Sequence, residues 1–238
     1  MLLSIFSKQQ IAHMKHITLI LISLHLFLSC SSKSDKKKAD AEGTITYKVC
    51  YATKEDVNPI IALLPTQVEF KFKDNNISVL SEGYLGFFST RFISKYKAPN
   101  SSILFKILNN KMNYQFASDK VPFIYNHQLA TQIKYLKTDR VIAGYKCKLA
   151  RVFIEELPEP IDVYYTQDIC LKNPNRNTPF SKIDGVLLEF ETTMNKIKAK
   201  FSAENVSLTP VSKEEFIIPS DYVKSDAKTI LKYVSNFN

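Results

Sequence analysis

From Gly43 onward the apolar residues of this chain recur at every second position, a period that specifies strands and rules out amphipathic helices over most of its length. Ile45, Tyr47, Val49 and Tyr51 alternate with Thr44, Thr46, Lys48 and Cys50, and Val68, Phe70 and Phe72 alternate with Glu69, Lys71 and Lys73. Successive side chains of a strand point to opposite faces, so each run has one face for a core and one for solvent. The pattern continues in Ile77-Val79, Ile103-Phe105-Ile107, Met112-Tyr114-Phe116, Tyr145 to Ile154, Val163-Tyr165, Val186-Leu188-Phe190 and Ile197-Ala199-Phe201. Asp74-Asn75-Asn76, Asn109-Asn110-Lys111 and Thr192 to Asn195 are short polar connections of the hairpin kind. The expected fold is mainly β, a curved antiparallel meander forming an unfinished or half-open barrel.

Two segments depart from the alternation. Asn58-Pro59-Ile60-Ile61-Ala62-Leu63-Leu64-Pro65 is apolar and bracketed by prolines, with Asn58 as N-cap and Pro59 at the first helical position, which predicts a short helix near 58–64. Between Asp221 and Phe237, the residues Val223, Ala227, Ile230, Leu231, Val234 and Phe237 share one helical face, with Ser225 or Asp226 as cap. Either helix could plug one end of the sheet or simply complete its core.

The N-terminus carries a different signal. Lys15 and His16 precede the apolar run from Ile17 to Leu28, which ends at Ser29-Cys30. The run falls short of the roughly 20 residues that span a bilayer, and it ends on a small residue beside a cysteine, as a signal peptide does. Phe27-Leu28-Ser29-Cys30 resembles the lipobox of bacterial lipoproteins, with the usual leucine one place early at Leu26. The resemblance implies cleavage before Cys30 and an acyl anchor on its thiol. Met14 makes the better start for such a signal than Met1. Residues 31–42, polar and rich in lysine, read as a flexible tether that could also lie against anionic headgroups. The organisation expected is a signal peptide at 1–29, a lipidated cysteine and tether at 30–42, a β domain at 43–222 and a helical tail at 223–238.

Removing residues 1–29 takes away Lys8 and Lys15 and no acid, which lowers the net charge from +9 to +7. The surplus is scattered and forms no stripe that could track a phosphate backbone, so no nucleic-acid partner is expected. Histidines 13, 16 and 25 lie in or before the signal, leaving His127 as the sole histidine of the mature chain. Neither zinc-ligand spacing nor a nucleophile elbow accompanies it. Gly43, Gly83, Gly86, Gly144 and Gly185 have no spacing that would cradle a phosphate. No metal or cofactor is expected. The acidic pairs Glu155-Glu156, Asp162-Asp168 and Glu189-Glu191 are the candidates for acid–base work, but Glu189 and Glu191 share a strand face with Thr193 that points to solvent. The chain is read as a binding protein rather than an enzyme.

Cys50, Cys147 and Cys170 remain beyond the anchor. If Leu157-Pro158-Glu159-Pro160 is a hairpin turn, Cys147 and Cys170 face one another and a disulfide is feasible; buried free thiols are the default.

Ile142-Ala143-Gly144-Tyr145-Lys146-Cys147-Lys148-Leu149-Ala150, Val163-Tyr164-Tyr165-Thr166, Ile183-Asp184-Gly185-Val186-Leu187-Leu188-Glu189-Phe190 and the closing Phe216-Ile217-Ile218-Pro219 together resemble exported Bacteroidota proteins. These are the GLPGLI family and related lipoproteins with a domain of unknown function. Lys182-Ile183-Asp184 stands where the first group has Gly-Leu-Pro, which favours the second. Such proteins are similar to carriers of the LolA and LolB type, whose curved sheet surrounds an apolar cavity. The resemblance implies a lipid or other hydrophobic ligand on a concave face lined by Phe70, Phe72, Phe105, Tyr114 and Phe116. A docking surface for an envelope protein, with no small-molecule ligand, is the alternative. The expected place is the outer membrane, facing the periplasm, because Ser31 is not the aspartate that retains lipoproteins in the inner membrane and the tether lacks the acidic residues of surface-exposed ones.

Overall fold

The structure is a computed structural model that describes residues 41–53, 58–86, 88–125 and 129–235. Cys30, the signal segment and His127 lie outside the described residues.

The alternating segments form strands β1 (Gly43–Tyr51), β2 (Gln67–Lys73), β3 (Asn76–Glu82), β4 (Phe88–Ser94), β5 (Asn100–Ile107), β6 (Asn110–Ala117), β7 (Gln132–Ile142), β8 (Tyr145–Phe153), β9 (Ile161–Thr166), β10 (Val186–Met194), β11 (Ile197–Ser207) and β12 (Val223–Lys224). They make one open, curved 12-stranded sheet in the order β12-β6-β5-β4-β3-β2-β1-β11-β10-β9-β8-β7. All pairs are antiparallel except the short parallel contact of β12 with β6. The sheet is therefore two meanders, β1 to β6 and β7 to β11, joined where β1 meets β11.

Tight turns hold the meanders in register. Asp74-Asn75, Ala143-Gly144 and Asn195-Lys196 each place consecutive residues at positive φ, the geometry that matches the twist of the flanking strands. The turn after β5 lies at Leu108-Asn109, and β10 runs on to Met194, beyond the expected turn at Thr192.

Lys148 pairs with Tyr165 and Val152 with Ile161, so the β8–β9 hairpin is centred between Glu156 and Leu157, two residues before the expected turn. Cys147 therefore does not face Cys170, which lies in the loop beyond β9. Cys50, Cys147 and Cys170 are all free thiols, which corrects the proposed 147–170 bridge.

The helices also differ in detail from expectation. Pro59–Leu63 is a single 3-10 turn closed by the Ile61 amide on the Asn58 carbonyl. The C-terminal helix α1 is described over Ala227–Ser235 and begins later than expected, capped by Asp226, whose Oδ1 accepts from the Thr229 amide at 2.7 Å. Val223, expected on the helical face, is in β12 and exposed.

Segments of the chain itself cover part of each face of the sheet. On one face Lys71, Lys73 and Arg91 meet the strap that follows β11: Lys71 donates to Glu215 at 2.8 Å, Lys73 to the Val211 carbonyl at 2.8 Å, and Arg91 lies 3.3 Å from Glu215. Val211 and Phe216 of the strap are buried. Glu42, assigned to the tether by sequence, joins this face through an ion pair with Lys73 at 2.5 Å, and Ala41 donates to the Cys170 carbonyl. The other face carries Val68, Phe70, Phe72, Ile77 and Val79 and holds the cavity described next.

A concave apolar cavity

Two connections cross the concave side. The segment from β6 to β7 leaves Ala117 at the end of the sheet where β1 begins, the lower end, and reaches the upper end, where β1 finishes and Tyr125 bridges Met194. The loop from β9 to β10, residues 167–185, closes the lower end. Between them and the sheet lies a cavity of about 200 Å³.

The cavity wall is mostly apolar. Val49, Phe70, Val79 and Phe92 contribute from the first meander, and Phe190 and Phe201 from the second. Phe190 stacks on Phe201 with ring centroids 5.0 Å apart and meets Tyr47 and Phe180 edge-on at 6.1 and 5.7 Å. Tyr47 is buried and donates to the Leu187 carbonyl at 2.6 Å, while Tyr51 donates to the Pro65 carbonyl at 2.6 Å. Burial raises the pKa of both phenols, Tyr51 to about 12, and raises that of Tyr125 to about 12 as well. All three are neutral at physiological pH.

The lower end is closed by polar side chains whose N–H donors are all spent on the protein. Arg176 donates through Nε to the Ser94 hydroxyl at 2.7 Å, through one terminal nitrogen to the carbonyls of Asn75 and Ser94 at 2.7 Å each, and through the other to Lys172 and Asn173. Burial lowers its pKa to about 10, so the guanidinium stays charged at neutral pH. Asn175 donates to the carbonyls of Ile183 and Gly185 at 2.8 Å each. Asn177 donates to Ser118 and Lys120 and accepts from the Ser101 hydroxyl at 2.9 Å. These bonds tie the loop to β4, β5 and the start of the β6–β7 connection.

The residues expected to line the concave face divide between two places. Phe70 lines the cavity, whereas Phe72 is fully buried beside it, with ring centroids 6.1 Å apart. Phe105, Tyr114 and Phe116 lie on the same face but pack with Phe123 of the connection and Ile230 of α1 in a separate cluster. Phe123 stacks on Phe105 at 6.1 Å and meets Tyr114 edge-on at 5.0 Å. Sequence reasoning missed Phe190, Phe201 and the Asn175-Arg176-Asn177 run. The last had a visible signal: a long stretch without strand periodicity inside a compact domain is commonly a functional loop.

The acidic pairs lie elsewhere. Glu189 contacts Arg140 at 2.8 Å and Lys200 at 3.2 Å, Glu191 contacts Lys198 at 2.8 Å, and Asp162 accepts two hydrogen bonds from Arg151 at 2.7 and 2.8 Å. Among the described residues, those lining the cavity include no carboxylate.

The fold matches part of PNGF-II. Structures of that protein in two crystal forms align with 83% of this chain and with 33% and 34% of theirs, at 16% identity and TM-scores of 0.50 and 0.51. The chain thus spans about a third of the length of the PNGF-II chain, and the likeness concerns the fold alone. LprF from Mycobacterium bovis aligns over 79% of this chain and 91% of its own at 10% identity and a TM-score of 0.29, too low to carry an argument. No family model matches the chain, and no curated protein does. The resemblance to GLPGLI proteins rests on the quoted residues alone.

Proposed function

We propose that the chain is a lipid-anchored envelope protein, held through acylated Cys30 in the outer membrane facing the periplasm, whose half-barrel binds the apolar part of a small hydrophobic ligand. The observation that carries the ligand reading is the cavity of about 200 Å³ between the sheet and its two covering connections. It exceeds the roughly 150 Å³ that accepts a benzene-sized guest and falls below the several hundred typical of drug-sized sites. One chain or ring of modest size fits that volume, and a two-chain phospholipid does not. The anchor reading rests on Phe27-Leu28-Ser29-Cys30. Among the described residues no helix is long and apolar enough to cross a membrane.

The test is mass spectrometry of the organic extract from protein starting at Ser31, purified without detergent from the envelope of its native host, together with NMR under xenon pressure. A near-stoichiometric small lipid, or xenon-induced shifts of the Val49 and Val79 methyls, supports the reading. An empty extract with unmoved methyls removes it.

A second reading, an envelope interaction protein without a small ligand, is favoured by β7. This edge strand is exposed along most of its length and carries the exposed Tyr135 and Val141. Its free peptide groups are a template for a partner's strand.

A further inference from the structure

Resting on the ligand reading above, we infer that the cavity takes a single-chain amphiphile with an uncharged hydroxyl, ester or amide head, held at the upper end by Thr192 and Tyr125, with Ser81 and Thr90 offering further hydroxyls along the wall.

The two ends of the cavity differ in what they offer a ligand. At the lower end the guanidinium of Arg176 has all of its N–H groups engaged by neutral protein acceptors, and the NH2 groups of Asn175 and Asn177 are likewise taken. Arg176 is the sole charged side chain lining the cavity among the described residues, so no donor is left there for an anionic head. That end is a seal.

The upper end is the reverse. Ser81 and Thr90 stand directly opposite each other in the β3–β4 ladder. Thr192 pairs with Ala199, which pairs in turn with Tyr51 at the end of β1, and Tyr125 bridges Met194 two residues beyond Thr192. Ser81 pairs with Val68, which pairs with Tyr47, so Ser81 and Thr90 stand lower on the wall than Thr192 and Tyr125, and all four line the same cavity. Among the described residues none of their hydroxyls has a hydrogen-bond partner in the protein. Thr192 is only 4% exposed. A hydroxyl without a protein partner on the wall of a cavity is open to a ligand, and each can both donate and accept. With no cation lining that end, a carboxylate or phosphate there would be a desolvated, uncompensated charge, whereas an uncharged head satisfies the hydroxyls at no such cost.

Isothermal titration of the chain starting at Ser31 with 1-octanol and with octanoate at pH 8 tests this. Octanol is expected to bind at least about tenfold more tightly. Thr192→Val and Tyr125→Phe are each expected to weaken octanol about fivefold while leaving thermal stability and the xenon shifts unchanged. Octanoate binding as tightly as octanol overturns the inference, as does an unchanged octanol affinity in both variants, or an absence of octanol binding while xenon still enters. In those cases the ligand reading survives. If neither ligand binds and xenon leaves Val49 and Val79 unmoved, the ligand reading itself falls and takes this inference with it.

Discussion

Arg176 donates to both the hydroxyl and the carbonyl of Ser94, each at 2.7 Å, and so fastens the loop that seals the cavity to a strand that walls it. The same side chain reaches the Asn75 carbonyl across the β2–β3 turn. A planar fork with five donors suits such a set of acceptors, and an ammonium does not. Arg176→Ala leaves buried carbonyls unpaired and is expected to cost about 2–4 kcal/mol. Arg176→Lys should recover less than half of that. Urea denaturation of both variants checks it, and a loss under about 1 kcal/mol for the alanine would show that water replaces the fork.

Gly185 sits at φ +146°, and a Cβ there would lie 2.7 Å from both the Thr166 carbonyl oxygen and the Tyr165 ring. Neither can retreat without breaking the β9–β10 pairing or the Asn175 contact with the Gly185 carbonyl. Gly185→Ala should therefore destabilise by more than about 2 kcal/mol. The opposite is expected at Gly144, where nothing lies within 4 Å of the added carbon: Gly144→Asn, which tolerates positive φ, should change the urea midpoint little.

The thiols differ in reach. Cys50 is exposed, whereas Cys147 is buried, and burial pushes its pKa up to about 11. In native protein starting at Ser31, maleimide should modify Cys50 within minutes and Cys147 only on unfolding. Intact mass after air oxidation should show no loss of two hydrogens from a bond between Cys147 and Cys170.

Ile230 is fully buried against Phe105, Met112 and Phe116 and pins α1 to the sheet. Ile230→Ala is expected to cost about 2–4 kcal/mol and to accelerate amide exchange throughout α1. Unchanged exchange would mean that α1 is held by its strap instead.

Hydrogen bonds from Arg151 hold the Asp162 carboxyl below its ordinary value of 3.8. The folded chain thus releases this proton more readily than the unfolded one, so the pair's contribution is present above about pH 4 and fades as pH falls through the lowered value. Asp162→Asn should flatten the acid limb of the urea midpoint measured against pH. Because the pair is largely exposed, the effect at neutral pH should be small.

The strands whose apolar residues alternate without a break were legible in the sequence. Those missed were β4, β7 and β12. In β4, polar Thr90 stands between Phe88 and Phe92 on the concave side while apolar Ile93 is buried on the other face, so the apolar alternation is broken. β7 is an exposed edge whose register shifts between Leu136 and Asp139, which breaks its phase. The cavity was partly visible: a concave apolar face follows from the alternation through Phe70, but which aromatics stay uncovered depends on where Phe123 and Ile230 land. That is decided by long-range packing. The β8–β9 turn was misplaced because Pro158 and Pro160 were read as its centre, while they lie in the half that leads into β9.

The junction of β1 with β11 sets the order in which this domain can be completed. During synthesis the first meander can zip up through neighbouring hairpins, since β1 to β6 pair in sequence. One side of β1 must wait for β11, which emerges only after most of the chain has been made. Until then the middle strand of the finished sheet is an open edge, and closing it carries the entropic penalty of a very long loop. The rate-limiting event in refolding should accordingly be the docking of two preformed meanders along one seam, and a variant that weakens the β1–β11 contact would slow folding more than one that weakens any hairpin.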